Sequence, residues 1–202
     1  FGLRFDLTVP AARLYVQKQK ELAKPVKWFY VDKLWRYENP QKGRLREFYQ
    51  MGIELFGSDK SEADAEVIAL AIDFLLKLGL KKDQFIIKIN NRKLLEGLVM
   101  GIGVKNLGEV IRIIDKKSKL NEKEFDGALK GLNLTADQLR NINLMLSAKD
   151  QNELKDLGFF NEEAAQGLAE LNAVIGALCL FRKDRYVQFD LATARGLEYY
   201  TG

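Results

Sequence analysis

Two strand-like runs decide the fold: Val26-Lys27-Trp28-Phe29-Tyr30-Val31-Asp32-Lys33-Leu34-Trp35-Arg36-Tyr37-Glu38, and Arg46-Glu47-Phe48-Tyr49-Gln50-Met51-Gly52-Ile53-Glu54-Leu55-Phe56-Gly57. Both are dense in aromatic and β-branched residues, which favour a pleated, half-buried surface. The seven residues between them, Asn39-Pro40-Gln41-Lys42-Gly43-Arg44-Leu45, carry the turn formers Asn, Pro and Gly together with two cations. This predicts a β-hairpin over 26–57 closed by a long basic loop. Side chains alternate between faces with period 2. The odd face, with Phe29, Val31, Trp35, Tyr37, Tyr49, Met51, Ile53 and Leu55, is expected to pack a core. The even face carries Asp32, Arg36, Glu38, Arg46, Phe48, Gln50 and Glu54, with Gly52 among them. A strand glycine often marks the close approach of a ligand. An arginine, an aromatic ring and a carboxylate on one surface suit a nucleotide: the guanidinium forks onto phosphate, the ring stacks on a base, and the carboxylate accepts from an amine.

Around this hairpin the chain reads as α+β. Thr8-Val9-Pro10 opens a helix to about Ala23, with proline tolerated in its first turn. Ser61–Asp64 resembles a capping box ahead of an apolar-periodic helix that ends near Gly79. A strand at Phe85–Ile89 and a helix at Asn91–Met100 follow. From about 103 the sequence is a succession of helices: Asn106–Lys117, Glu122–Lys130, Thr135–Ser147 with a Thr135/Gln138 capping box, and Glu162–Phe181 with Ala165, Leu168, Leu171, Ile175 and Leu178 on one face. Strand character returns at Tyr186–Asp190 and at Leu197–Tyr200. The economical organisation is 1–102 and 185–202 on one sheet, with a helical insertion over 103–184 between its strands.

Composition narrows the chemistry. The 202 residues contain no histidine and one cysteine, Cys179. A His/Cys metal site, a Ser-His-Asp triad and Cys-His catalysis are therefore excluded within this chain, and the single cysteine fits a reducing compartment. No apolar run reaches the roughly 18 residues of a membrane span. The net charge is +4, concentrated at the front: residues 1–60 carry 12 basic against 7 acidic groups, whereas 103–184 carry 12 against 13. The first third is thus the anion-facing part.

Three segments together resemble one family. Arg36-Tyr37-Glu38-Asn39-Pro40-Gln41-Lys42-Gly43-Arg44-Leu45-Arg46-Glu47-Phe48-Tyr49-Gln50-Met51-Gly52-Ile53-Glu54 is similar to motif 2 of class II aminoacyl-tRNA synthetases in its histidyl-tRNA synthetase form. Leu3-Arg4-Phe5-Asp6-Leu7-Thr8-Val9-Pro10 resembles that family's amino-acid-binding segment in its archaeal and eukaryal version. Arg195-Gly196-Leu197-Glu198-Tyr199-Tyr200-Thr201-Gly202 is similar to its histidine-specific signature, usually written with Asp where Glu198 stands. Their order, with a helical insertion between the second and third, implies a class II synthetase-like antiparallel sheet with flanking helices plus an α-helical insertion domain.

The resemblance implies that ATP and histidine form histidyl-adenylate, and that the histidyl group then passes to tRNA(His), with Mg2+ accompanying ATP. It implies catalytic roles for Arg36, on the α-phosphate and the histidine carboxylate, and for Arg195, on the phosphate from the other side. Phe48 would stack on adenine, Glu38 would read its amino group, and Arg44 would reach the β- and γ-phosphates. Asp6, Thr8 and Gln50 would hold the α-amino group, while Glu54 and Tyr200, with Tyr199 nearby, would grip the imidazole. Lys116, Lys117 and Lys119 in the insertion are candidates for tRNA phosphate contact, or else an ordinary basic helix end. A cytoplasmic location and a homodimer built through motif 1 are expected. The chain starts at Phe1 and stops after an aromatic run, which reads as a fragment lacking motif 1, motif 3 and the anticodon-binding domain. Alone it is expected to adenylate histidine poorly or not at all. The competing readings are a non-catalytic paralogue (the ATP phosphoribosyltransferase regulatory subunit, or a pseudo-synthetase sensing histidine or tRNA) and an RNA-binding helical module on an inert sheet. Arg36, Arg44 and Arg195 favour the enzyme.

Overall fold

The structure, a computed structural model, describes residues 2–39, 41–148 and 150–194. Two compact units divide between Val67 and Ile68. The first is built on the hairpin. Strand β1 (Val26–Trp35) pairs antiparallel with β2 (Glu47–Phe56) through an unbroken register running from Val26 opposite Phe56 to Trp35 opposite Glu47. Past the last pair, the Arg36 N–H donates to the Arg46 carbonyl (2.9 Å), so the ladder continues into the basic loop. The loop then turns at Gly43, whose φ of +81° favours glycine over any residue with a Cβ.

The preceding segment forms a strap along the end of β1. The Trp35 N–H donates to the Arg4 carbonyl (2.9 Å), the Arg4 Nε to the Lys33 carbonyl (2.9 Å), and the Arg4 guanidinium pairs with Asp32. Helix α1 (Thr8–Lys18) follows and is shorter than the sequence suggests. It stacks Tyr15 on Phe56, ring centroids 4.7 Å apart, with Trp28 edge-on to the same ring. Phe56 and Trp28 belong to the even face, so α1 packs on that end of the even face and not on the odd one. This overturns one expectation. Phe29 (79% exposed), Val31 and Tyr49 (72%) stand open, whereas Trp28, Tyr30, Gln50 and Glu54 on the even face are half-buried and Leu34 is fully buried. Within this chain α1 lies on the even side, and no other described element of the first unit covers Phe29, Val31 or Tyr49 on the odd one. On the open side, Lys33 bonds Glu47 (2.6 Å) and holds its carboxyl below the usual range, helped by the Trp35 indole N–H.

Helix α2 (Ser61–Lys77) begins where its capping residues predict. The second unit contains β3 (Ile87–Ile89), α3 (Arg92–Gly101), α4 (Leu107–Asp115), α5 (Glu122–Lys130), α6 (Ala136–Ser147), α7 (Gln151–Lys155), α8 (Glu162–Leu180) and β4 (Val187–Phe189). The predicted capping box at Thr135 and Gln138 is present, and a second joins Asn121 to Glu124. Both short strands lie inside their predicted spans. They pair parallel, Ile87 opposite Val187, which requires the long helical crossover between them. The predicted strand at 197–200 falls outside the described residues.

The core of this unit is the interface of α3 with α8, joined by Val110, Ile111 and Ile114 of α4, Phe125 and Leu129 of α5, and Ile142 and Met145 of α6. On α8 the inward stripe runs through Ala164, Gly167, Leu168, Leu171, Val174 and Leu178, so Ala165 faces out and not in. One polar cluster sits beside this core. Asn91, the buried cap of α3, donates to Glu170 (3.0 Å), as do Lys93 (2.6 Å) and Gln166 (3.1 Å). The Lys93 hydrogen bond, reinforced by Asn91, holds the Glu170 carboxyl below the usual range against the opposing effect of burial. A lowered folded-state pKa gives stability that is complete above the unfolded value and is lost as pH falls through the folded one. Glu170→Gln should therefore cost roughly 0.2–1 kcal/mol at neutral pH, the range for a partly exposed pair. Denaturant titrations of variant and parent should converge as the pH drops through the lowered value.

Candidate active-site face

The even face of the hairpin gathers most of the described candidates, and three hydrogen-bonded groups organise it. The first is centred on Arg36. Its Nε donates to the Phe5 carbonyl (3.0 Å) and its Nη2 to the Gln50 Oε1 (3.0 Å), while its guanidinium lies 5.1 Å from the centre of the Phe48 ring. A half-buried guanidinium held on two sides and over an aromatic face is pre-oriented, which is what recognition of an oxyanion requires. The Gln50 Nε2 donates onward to the Tyr30 hydroxyl (3.2 Å).

The second group joins the strap to β2. The Asp6 carboxylate accepts from the Thr8 N–H (2.6 Å), and the Thr8 hydroxyl donates to Glu54 (2.7 Å). Thr8 therefore does not cap α1 with its side chain. Asp6 serves the first N–H of the helix, and the Thr8 hydroxyl is committed to Glu54. The third group lies in the loop. Arg44 pairs with the Glu38 carboxylate (3.1 Å), the Arg46 Nε donates to the Glu38 carbonyl (3.3 Å), and the Arg46 guanidinium stacks 4.5 Å from the centre of the exposed Tyr37 ring. Glu38 and Arg44, expected to contact different parts of a nucleotide, are thus tied to each other.

The register explains why these residues form a row. Cα partners across the hairpin are Leu34 with Phe48, Asp32 with Gln50, Tyr30 with Gly52, and Trp28 with Glu54. Same-face residues on a strand repeat at about 7 Å, so Phe48, Gln50, Gly52 and Glu54 line a track of about 20 Å. Along it the chemistry changes in order from an aromatic ring, to a guanidinium with an amide, to a carboxylate. Tyr30, which composition did not single out, fills the middle. Its position opposite Gly52 could be found only by counting register from a known loop end. Arg195, Tyr199 and Tyr200 lie outside the described residues. Lys116, Lys117 and Lys119 are in the second unit, where α4 ends in a short 3-10 turn; Lys117 sits 5.7 Å from the centre of the Phe125 ring, and Lys116 and Lys119 are exposed. Among the described residues, no helix is long and apolar enough to cross a membrane.

Comparison with known proteins identifies the lineage of this arrangement. The sequence profile described as "Histidyl-tRNA synthetase" matches residues 1–202. This chain belongs to the histidyl-tRNA synthetase family. Within the family it is 41% identical over 204 residues to the histidine--tRNA ligase of Pyrococcus abyssi, covering 99% of this chain and 47% of that protein. It is also 41% identical to the histidine--tRNA ligase of Natronomonas pharaonis, covering 98% and 46% respectively. Among solved structures, histidyl-tRNA synthetase from Nostoc sp. PCC 7120 superposes with a TM-score of 0.84 at 27% identity, covering 98% of this chain and 47% of that one. An ATP phosphoribosyltransferase regulatory subunit/histidyl-tRNA synthetase from Bacillus halodurans C superposes with a TM-score of 0.80 at 30% identity, covering 98% and 52%. The chain spans about half the length of the curated relatives it matches. The α+β architecture anticipated from the motifs agrees with these histidyl-tRNA synthetase folds, and the archaeal relatives agree with the Leu3–Pro10 reading.

Proposed function

We propose that the protein activates histidine with ATP to histidyl-adenylate and transfers the histidyl group to tRNA(His), with this chain supplying much of the adenylation site. The observation that carries the reading is the order of groups on the even face. A base, a phosphate, an ammonium and an imidazole follow one another in histidyl-adenylate. Phe48, Gln50 and Glu54 follow one another along β2, and the Arg36 guanidinium, from just past the end of β1, reaches Phe48 and Gln50.

In the reaction, a histidine carboxylate oxygen attacks the α-phosphorus in line and pyrophosphate leaves, carrying the electrons of the broken P–O bond. Arg36 orients the two anions and neutralises charge gathering between them. Phe48 stacks on adenine and Glu38 accepts from its amino group. Arg44 exchanges its bond to Glu38 for the outer phosphates. Asp6, Thr8 and Gln50 present oxygens to the α-ammonium, and Glu54 accepts from an imidazole N–H. Arg195 would act on the same phosphate, and Tyr199 and Tyr200 on the imidazole, as the family resemblance implies. Magnesium enters with the triphosphate as part of the substrate, whose oxygens it prefers. Lys116, Lys117 and Lys119 serve the tRNA backbone, and the working form is a cytoplasmic homodimer. The organisation into 1–102, an insertion over 103–184, and 185–202 follows the same reading.

The test is histidine-dependent ATP–pyrophosphate exchange by the full-length protein, with Arg195→Ala as control. Exchange should be robust in the parent and fall by at least ~100-fold in the variant, the scale of losing one preorganised donor. Histidine binding without exchange would instead select the regulatory-subunit reading that the Bacillus halodurans relative raises.

A further inference from the structure

Tyr30 occupies the space the sequence had reserved for a ligand. A Cβ on Gly52 would lie 2.0 Å from the Tyr30 Cζ and 2.2 Å from its hydroxyl oxygen, so the strand glycine makes room for this ring. The ring stands between the Gln50 and Glu54 positions on the opposing strand, at the middle of the track. Its hydroxyl meets Gln50, and the donor pattern there is determined by elimination. Arg36 has donors only, so the Gln50 atom it meets (3.0 Å) is the carbonyl oxygen. The amide nitrogen then faces Tyr30, whose hydroxyl accepts at 3.2 Å. The chain of bonds runs from Tyr30 through Gln50 and Arg36 to the Phe5 carbonyl (3.0 Å), linking β1, β2 and the strap.

We propose that Tyr30 is a positioning residue for the amino-acid site: Arg36, a donor only, selects the orientation of the Gln50 amide, and the Tyr30 phenol oxygen, accepting from the amide NH2, holds it in place so that the carbonyl oxygen faces both Arg36 and the substrate ammonium. This rests on the histidine-activating reading above. A carbonyl oxygen has two lone pairs, one for Arg36 and one for an ammonium. The flipped amide would present donors to two cations. Without the phenol, the amide NH2 loses its partner and the oriented form loses its restraint. Gly52 is required in the same device, because any side chain there displaces the ring.

The experiment is steady-state exchange kinetics on the full-length protein with Tyr30→Phe, Gln50→Ala, the double variant, and Gly52→Ala. Tyr30→Phe keeps the ring, so its thermal unfolding should match the parent. Its KM for histidine should rise about fivefold, the effect of one neutral hydrogen bond, while its KM for ATP and its kcat shift less than twofold. The double variant should be no worse than Gln50→Ala alone, because the phenol acts only through the amide. Gly52→Ala should raise the histidine KM at least as much as Tyr30→Phe. An unchanged histidine KM in Tyr30→Phe, equal losses for histidine and ATP, or additive effects in the double variant overturns the positioning role while leaving the activity standing. A parent without histidine-dependent exchange overturns both.

Discussion

Arg36→Ala is expected to lower histidine-dependent ATP–pyrophosphate exchange by about a thousandfold, the upper range for deleting one preorganised charge-stabilising donor. Two features of the structure place it at the high end. The guanidinium is held from both sides, by the Phe5 carbonyl and Gln50, and it rests over Phe48, so its orientation is set before substrate arrives. Its removal also strands the Phe5 carbonyl and the Gln50 oxygen, loosening the strap and the amide together. Arg36→Lys should recover little. An ammonium is a point donor on a flexible stem and cannot reach the strap carbonyl and the amide oxygen from separate nitrogens of one rigid plane. Both kcat and kcat/KM should fall, as for an interaction made in the transition state; a rise confined to the histidine KM would instead place Arg36 in ground-state binding only. Exchange within tenfold of the parent would remove Arg36 from the reacting centre.

Much of the fold was legible in the sequence, and the parts that were not share a cause. Residues signalled by local chemistry came through: the aromatic strands around a basic loop, the Thr135 capping box and the Glu122–Lys130 helix all rest on contacts within a few residues of each other. Misreadings arose where a distant element decides. Within this chain the apolar odd face of the hairpin stands open while α1 lands on the other side, and nothing within 26–57 encodes where α1 goes. The parallel pairing of β3 with β4 joins residues about 100 positions apart. Thr8 is a helix-cap type by composition, yet its hydroxyl goes to Glu54, 46 residues away. Gly52 reads as room for a ligand, but the ring of Tyr30 fills that space, which only the register across the hairpin shows.

The glycines of the helical unit are the strongest case of a feature without a local signature, and they carry a stability prediction of opposite signs within one helix. Gly97 of α3 and Gly167 of α8 lie at the crossing of the two helices. A Cβ on Gly97 would sit 2.3 Å from the Ala164 nitrogen, and one on Gly167 would sit 2.2 Å from the Leu94 nitrogen. Both obstacles are backbone, so no side-chain rotation relieves them. The caps interlock at the same places: Asn161 caps α8 through the Ala164 N–H (2.9 Å) and donates to the Gly97 carbonyl (2.8 Å), while the Asn91 oxygen that caps α3 would lie 2.7 Å from a Cβ at 167. Pushing the helices apart would break these caps and open the Leu94, Leu98 and Leu168 core. Gly167→Ala is therefore expected to destabilise the protein by about 3 kcal/mol or more, the upper range for overpacking, despite alanine's better helix propensity. Gly176 is in the same helix, and a Cβ there would meet nothing within 4 Å. Gly176→Ala should stabilise by about 0.5–1 kcal/mol, since only the backbone entropy term remains. Urea unfolding of the two variants beside the parent decides the matter. Shifts of the same sign would mean that the close approach of α3 to α8 does not govern the stability of this unit, whereas opposite signs tie it to two missing side chains.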